Sequence, residues 1–306
     1  MAKTLLEYPP GLVLWIIINN KEFDSSLHRE REGAEVDGIN LIEALQPFQI
    51  DLRVWENYKR QEILNGLREI KEEVDREPNK FAGLVILGAS HGVEHDGRDF
   101  LVASDCKPLL IETIIGLYHN EYCVGLNDCP KFYLFNMCRG TYRNVQIESE
   151  SAIVASLADN GKKFDTSEVE ENKECCGLHL SDDSFLLYEK EVNLLNHDRL
   201  GIEVHSSVSV KGAISFKRGD YMIVHSTIRG YISNRHKYLG TVFIQELTKS
   251  IKSQMSKQNH NFEEVIRSAC FAASSHQSSG VSAPQVPEIT TTLRAPFRFI
   301  LKGNLG

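Results

Sequence analysis

Two short segments carry side chains able to do covalent chemistry, and each stands at the end of an apolar run. Ser90-His91-Gly92 follows the stretch from Gly83 to Ala89, and Cys138-Arg139-Gly140 follows the stretch from Lys131 to Met137. A cysteine nucleophile needs a nearby base to raise its thiolate fraction, and a glycine beside that base lets backbone N–H groups approach the oxyanion of an acyl intermediate. His91, Gly92 and Cys138 supply those parts. On spacing alone the same residues also fit a blander pair, an exposed histidine in a turn and a small cysteine closing a core strand.

For His91 and Cys138 to meet, their strands must end at the same edge of one sheet. Leu12 to Ile18 is a continuous apolar, β-branched run, which reads as a strand buried on both faces of a mostly parallel sheet. Residues 33–45 switch to helical spacing, with Val36, Ile39, Leu41, Ile42 and Leu45 as the apolar stripe before Pro47. The unit repeats: a strand over 50–55, a helix over 60–74 with Ile63, Leu64, Leu67, Ile70 and Val74, a strand over 83–89, a helix over 109–118 and a strand over 131–137. Alternation of this kind predicts a parallel sheet with helices on both faces, whose reactive residues gather at the carboxyl ends of the strands.

Beyond residue 145 the pattern breaks. From Glu148 to Glu174 eight acidic residues stand against three lysines, with Ser, Asn and Gly between them, which marks an exposed linker. Regular spacing resumes with a strand over 220–225, helices over 240–255 and 261–273, a Ser/Gly/Pro-rich loop over 274–287 and a final apolar strand over 296–301. The predicted fold class is therefore α/β, with a central sheet of about six strands. The boundaries are a short segment 1–10, a first region 11–147, a linker 148–213 and a second region 214–306.

Composition bounds the function. The chain has 306 residues, 42% of them hydrophobic and 25% charged, which fits a folded globular protein and excludes wholesale disorder and fibrous repeats. Lys+Arg 34 against Asp+Glu 42 leaves a net charge of −8, so a nucleic-acid backbone is an unfavourable partner. The run Gly11 to Ile18 is too short to span a bilayer and has no basic start before it, so neither a membrane nor secretion is expected. Seven cysteines, an odd number, argue for reduced thiols and a cytoplasmic location. Cys175-Cys176 with His179 is poorly spaced for a tetrahedral metal site, so no metal and no cofactor are expected.

Several segments together resemble the caspases in order and spacing: Gly88-Ala-Ser-His-Gly92, Phe135-Asn-Met-Cys-Arg-Gly140, the stretch His225 to Arg235, and Thr290-Thr-Thr-Leu293. Asn19-Asn20 after the first strand and the stretch Arg31 to Asp37 look like that family's opening, so the likeness covers roughly residues 11–302. The resemblance implies a caspase-like fold and a cysteine endopeptidase cleaving after aspartate, with roles in proteolysis and apoptosis. It places His91 as general base, Cys138 as nucleophile, and the backbone N–H groups of Gly92 and Cys138 as oxyanion hole. Arg31 and Arg235 lie where the family holds the substrate aspartate, and Asn136, Ser233, Asn234 and Val242 fall on further substrate-binding positions. Two guanidinium forks suit a desolvated carboxylate, whereas a lysine would not match that planar fit.

Three residues depart from the family pattern. Asn136 replaces a glutamine and is one methylene shorter, while Asn234 and Val242 stand where many members carry tryptophans, so the upstream subsites should be less aromatic. These departures leave two readings open: a protease of altered preference, or a weakly active or inactive homologue that binds and modulates another caspase. The likeness further implies a short-prodomain zymogen activated by cleavage at Asp159, Asp165, Asp182 or Asp183 in the linker. It implies a homodimer as well, paired through the apolar segment Phe297 to Leu301 at the sheet edge. The partners it implies are peptide or protein substrates with aspartate before the scissile bond, other caspases and inhibitor proteins.

Overall fold

The computed structural model describes residues 7–25, 28–142, 219–254, 261–275 and 285–302. Its centre is a six-stranded sheet in the order β13-β9-β7-β3-β1-β2. These strands are β1 Val13–Asn19, β2 Ile50–Glu56, β3 Gly83–Ala89, β7 Lys131–Asn136, β9 Tyr221–His225 and β13 Glu288–Thr291. Five of the six run parallel, and β13 alone is antiparallel, against β9. The interior strands β1, β3 and β7 are buried along their whole length, as continuous apolar runs require.

Helices cover both faces. Val13, Trp15 and Ile17 point into one core, with α1 (Ala34–Leu45), α4 (Val242–Gln254) and α5 (Phe262–Ser274). Leu14, Ile16 and Ile18 point into the other, with α2 (Arg60–Arg76) and α3 (Ile111–Leu117). Burying one such aliphatic or aromatic side chain contributes roughly 1.5–3 kcal/mol, so this two-sided packing fixes the strand register. Five of the six strands of the central sheet, and helices on both of its faces, are as the sequence predicts.

Four details differ from the sequence reading. The stretch between β3 and α3 is not a plain connection: β4 (Gly92–His95), β5 (Arg98–Val102) and β6 (Pro108–Leu110) form a small antiparallel sheet, and α3 begins only at Ile111. Similarly, α4 begins at Val242, because Gly240–Thr241 is a short strand, β12, paired with β11 (Arg235–His236). Helix α1 buries Ala34, Asp37, Gly38, Leu41, Ala44 and Leu45, while Ile39 is 66% exposed. Its inward face is set by Asp37, whose carboxylate reaches across to Thr241.

The fourth difference concerns the chain end. Residues 296–301 do not form a sheet-edge strand. They make isolated bridges, Phe48 to Leu301 and Asn261 to Arg298, and Phe297 and Phe299 are buried. Phe299 packs 4.4 Å from Phe262 and 5.7 Å from Trp15, ring centre to ring centre. Aromatic rings of this size are worth more inside the core than along an edge, and the outer strand beyond β9 is instead the polar β13.

Candidate active site

Parallel strands place their carboxyl ends together, and the register does the rest. Ala89 of β3 pairs with Asn136 of β7, so His91 and Cys138, each two residues further on, leave the sheet side by side. Both line one cleft with Arg31, Asn136, Ser233, Asn234, Arg235 and Thr241. Gly92 is hemmed in by backbone: a Cβ there would lie 2.2 Å from the Cys138 carbonyl oxygen. Only glycine permits that approach.

His91 is 4% exposed, and its Nε2 lies 2.7 Å from the Arg29 carbonyl oxygen. A carbonyl only accepts, so Nε2 carries the proton and Nδ1 keeps the basic lone pair. Burial pushes the His91 imidazole down to about 3 against the pull of that carbonyl, and the charge of Arg31 pushes the same way. The ring is therefore neutral near pH 7, the state a general base requires. Cys138 is partly buried, and its Sγ accepts the Ser233 backbone N–H at 3.4 Å.

Two guanidinium groups face the same cleft. Arg31 is 1% exposed, and its Nη1 donates to the carbonyls of Asn20 and Ala89 at 2.7 and 3.2 Å and to Asn19 Oδ1 at 3.3 Å. The ends of β1 and β3 thus grip it from below. Arg235 enters from β11, which pairs with β12. Behind both lies Asp37, whose carboxyl is raised to about 7 by burial while Arg31 and the Thr241 hydrogen bonds pull it back.

Asn136 is 1% exposed and already engaged: its Nδ2 donates to Thr241 Oγ1 at 2.9 Å, and its Oδ1 accepts from Ser233 Oγ at 3.3 Å. Thr241 in turn donates its hydroxyl to Asp37 Oδ2 at 3.0 Å and its amide N–H to Asp37 Oδ1 at 2.8 Å. Asn234 lines the cleft, with its backbone N–H held by Gln285 Oε1 at 2.7 Å. Val242 is not in the cleft. It is 1% exposed at the first turn of α4, where its amide donates to the Asn234 carbonyl, and its neighbour Thr241 lines the cleft.

Sequence reasoning missed Asp37, Thr241 and the Arg29 carbonyl. For Asp37 a signal was present, since residues 34, 37, 38, 41 and 45 keep helical period with an acid inside the apolar face. A further miss is the ion-pair cluster beside Cys138. Arg139, 3% exposed, donates to Asp99 Oδ2 at 2.7 Å, Glu288 Oε2 at 2.6 Å and the Thr227 carbonyl at 3.2 Å, and Arg229 adds a bond to Asp99 at 3.0 Å. The linker aspartates Asp159, Asp165, Asp182 and Asp183, and Cys175, Cys176 and His179, lie outside the described residues. Among the described residues no cluster of three His, Cys, Asp or Glu side chains could hold a metal, and no helix is long and apolar enough to cross a membrane.

An α/β sheet whose parallel strands bring a histidine and a cysteine to one cleft, joined there by an arginine from before α1 and one from β11, defines a protein with the parts of a thiol acyl-transfer site. The comparisons with known proteins agree. The family model described as the caspase domain matches residues 13–298, and the chain belongs to the caspase family. It is 26% identical to caspase-3 of Xenopus laevis over 243 residues, 79% of this chain and 65% of that protein. With caspase-3 of Felis catus it is 28% identical over 150 residues, 49% of this chain and 51% of the relative. The chain thus spans between half and two thirds of the length of these relatives. The crystal structure of caspase-1 from Spodoptera frugiperda superposes with a TM-score of 0.66 at 18% identity, covering 99% of this chain and 97% of that one, which establishes the shared fold.

Proposed function

We propose that this protein is a cysteine endopeptidase that cleaves after aspartate. One observation carries the reading: the cleft that holds His91 and Cys138 also holds the two guanidinium groups of Arg31 and Arg235. A substrate carboxylate placed between them leaves its own peptide carbonyl over the sulfur. His91 Nδ1 takes the thiol proton, Sγ bonds to the carbonyl carbon, and the oxygen gains the negative charge within reach of the Gly92 and Cys138 N–H groups. Collapse breaks the C–N bond, and the imidazolium returns its proton to the departing amine. Water, deprotonated by the same nitrogen, then releases the acid and restores the thiol. Asn136, Ser233 and Asn234 border the bound peptide.

Asn136 supports a second reading, a weakly active or inactive homologue that binds another caspase, because its short amide is committed to Thr241 and Ser233. An aspartyl electrophile separates the two. The protease forms a covalent adduct at Cys138, and Cys138→Ala and His91→Ala each lose ~10²–10⁴-fold of peptidase activity or more. A chain that stays unlabelled, or that cleaves equally well after Cys138→Ala, refutes the nucleophile assignment.

The same proposal divides the chain into a large region, 11–147, and a small one, 214–306, joined by the linker 148–213 and separated when that linker is cut. Dimerisation then uses β13, the outer strand of the sheet, with β9 as its one described neighbour. The protein acts in the cytoplasm on proteins bearing exposed aspartates, in apoptosis, and is open to control by inhibitor proteins and other caspases.

A further inference from the structure

Two aromatic rings pack against the His91 imidazole. Phe23 stands 4.8 Å from the imidazole, ring centre to ring centre, at 43°, and His28 stacks on it at 5.2 Å and 28°. Phe23 and His28 also meet each other at 5.5 Å, so the three rings form a closed triangle. The excursion that carries them leaves β1 after Asn19 and is pinned where it returns, by the Arg31 N–H donating to the Lys21 carbonyl at 2.9 Å. Further along, the Asp24 N–H donates to Ser104 at 2.8 Å, and the Arg29 carbonyl takes His91 Nε2 at 2.7 Å.

His28 is an expensive choice for this place. It is 6% exposed, and among the described residues neither ring nitrogen has a hydrogen-bond partner. Burying an imidazole unpaired is unfavourable compared with a leucine or phenylalanine of similar bulk. What a ring at this place supplies, and a leucine would not, is a flat face stacked on the His91 imidazole at 28°. The hydrogen bond to Arg29 fixes one in-plane direction of the imidazole, and the stack fixes the orientation of its plane.

We propose that Phe23 and His28 form an aromatic cap that holds the His91 ring in one orientation and keeps water from it. They are positioning residues, and their catalytic relevance rests on the proposal that His91 is the general base. Burial is the largest influence on both histidines, pushing His91 down to about 3 and His28 to about 4. The other groups facing His91 are Arg31 from the end of the excursion, Arg235 from β11 and Cys138 across the cleft. The two arginines lower it further, as does any charge on His28. Opening the cap lets water solvate the imidazolium, so His91 titrates closer to its ordinary value of about 6.5 and is protonated, and useless as a base, over a wider acid range.

The test follows the His91 titration by NMR in full-length Cys138→Ala protein labelled at histidine. Phe23→Ala and His28→Ala should each raise the His91 titration by about one pH unit or more, whereas His28→Phe, which keeps a ring and removes the nitrogens, should leave it low. In the protein with Cys138 intact, the acid limb of kcat/KM in the Ala variants should move up by the same interval as the His91 titration, measured against their own plateau near pH ~8. Folded Ala variants with an unmoved His91 titration overturn the cap. Should they not fold, the chain with His28 and Phe23 intact still decides: a His91 ring N–H that exchanges with water as fast as an exposed imidazole overturns it too. A cap that behaves as expected in a chain without peptidase activity supports the cap and refutes the protease. Activity with an unmoved acid limb in the Ala variants does the reverse.

Discussion

Replacing Asp99 tests whether the turn at Cys138 and Arg139 is held by buried charge. Asp99 is 5% exposed and accepts from both Arg139 and Arg229, and Arg139, 3% exposed, is the residue after Cys138. Burial pushes the Asp99 carboxyl upward, but the Arg139 hydrogen bond and charge outweigh it, so the group is held below the usual carboxylate range. Removing one member of a buried ion pair costs ~3–5 kcal/mol when the partner is left uncompensated. Arg139 keeps Glu288 and the Thr227 carbonyl, which places Asp99→Ala at the lower end, about 3 kcal/mol. At roughly 2–4 °C per kcal/mol for a domain of this size, the melting temperature falls by ~6–12 °C. Asp99→Asn retains the shape and one acceptor and should cost about half as much.

The pH dependence has a definite sign. Because the folded pKa of Asp99 is depressed, its contribution is fully present above the unfolded value of about 3.9 and is lost as pH falls through the folded one. The gap between the native protein and Asp99→Asn in urea denaturation should therefore be constant near neutrality and close below about pH 4. A loss under ~1 kcal/mol for Asp99→Ala at pH 7, or a gap that widens on acidification, refutes the buried anchor.

Further expectations concern specificity and maturation. Arg235→Ala should raise KM for aspartyl peptides by ~10²-fold or more, with a small change in melting temperature, because it leaves the substrate carboxylate half paired; equal cleavage by this variant places the carboxylate pocket elsewhere. Asn136→Gln should give catalytic efficiency equal to or above that of the native protein, and a fall at unchanged stability means that the Thr241 and Ser233 bonds matter more than reach. Intact-mass spectrometry with light scattering should find a dimer of large and small fragments, cut between residues 159 and 183. A chain lacking Asp159, Asp165, Asp182 and Asp183 should stay whole with lower activity, and an uncut monomer with full activity refutes maturation by linker cleavage.

The central architecture is legible in the chain because its determinants are local. Runs such as Leu14 to Ile18 and Leu84 to Leu87 are apolar at every position, which only a strand buried on both faces requires, and the Ile63-Leu67-Ile70-Val74 stripe of α2 repeats at helical spacing. A parallel sheet built from such strands brings their carboxyl ends together, so the neighbourhood of His91 and Cys138 is also readable. The motif resemblance points to the arginines, which nothing local distinguishes.

What the sequence leaves open depends on partners distant along the chain. Whether α1 buries Ile39 or Asp37 is settled by Thr241, about two hundred positions away, whose amide and hydroxyl offer the carboxylate two bonds that an apolar side chain could not use. Phe297 and Phe299 read as an alternating edge strand until Trp15, Phe132 and Phe262 enclose them in the core. Val242 turns inward at the start of α4, while its neighbour Thr241 faces the cleft. The Phe23 and His28 rings, from the excursion after β1, and Asp99, from β5, each meet a residue just beyond the end of a central strand, His91 and Arg139. Local spacing records which face of an element is apolar; the groups that meet there are chosen by long-range register and by the need to satisfy every buried charge and hydrogen bond.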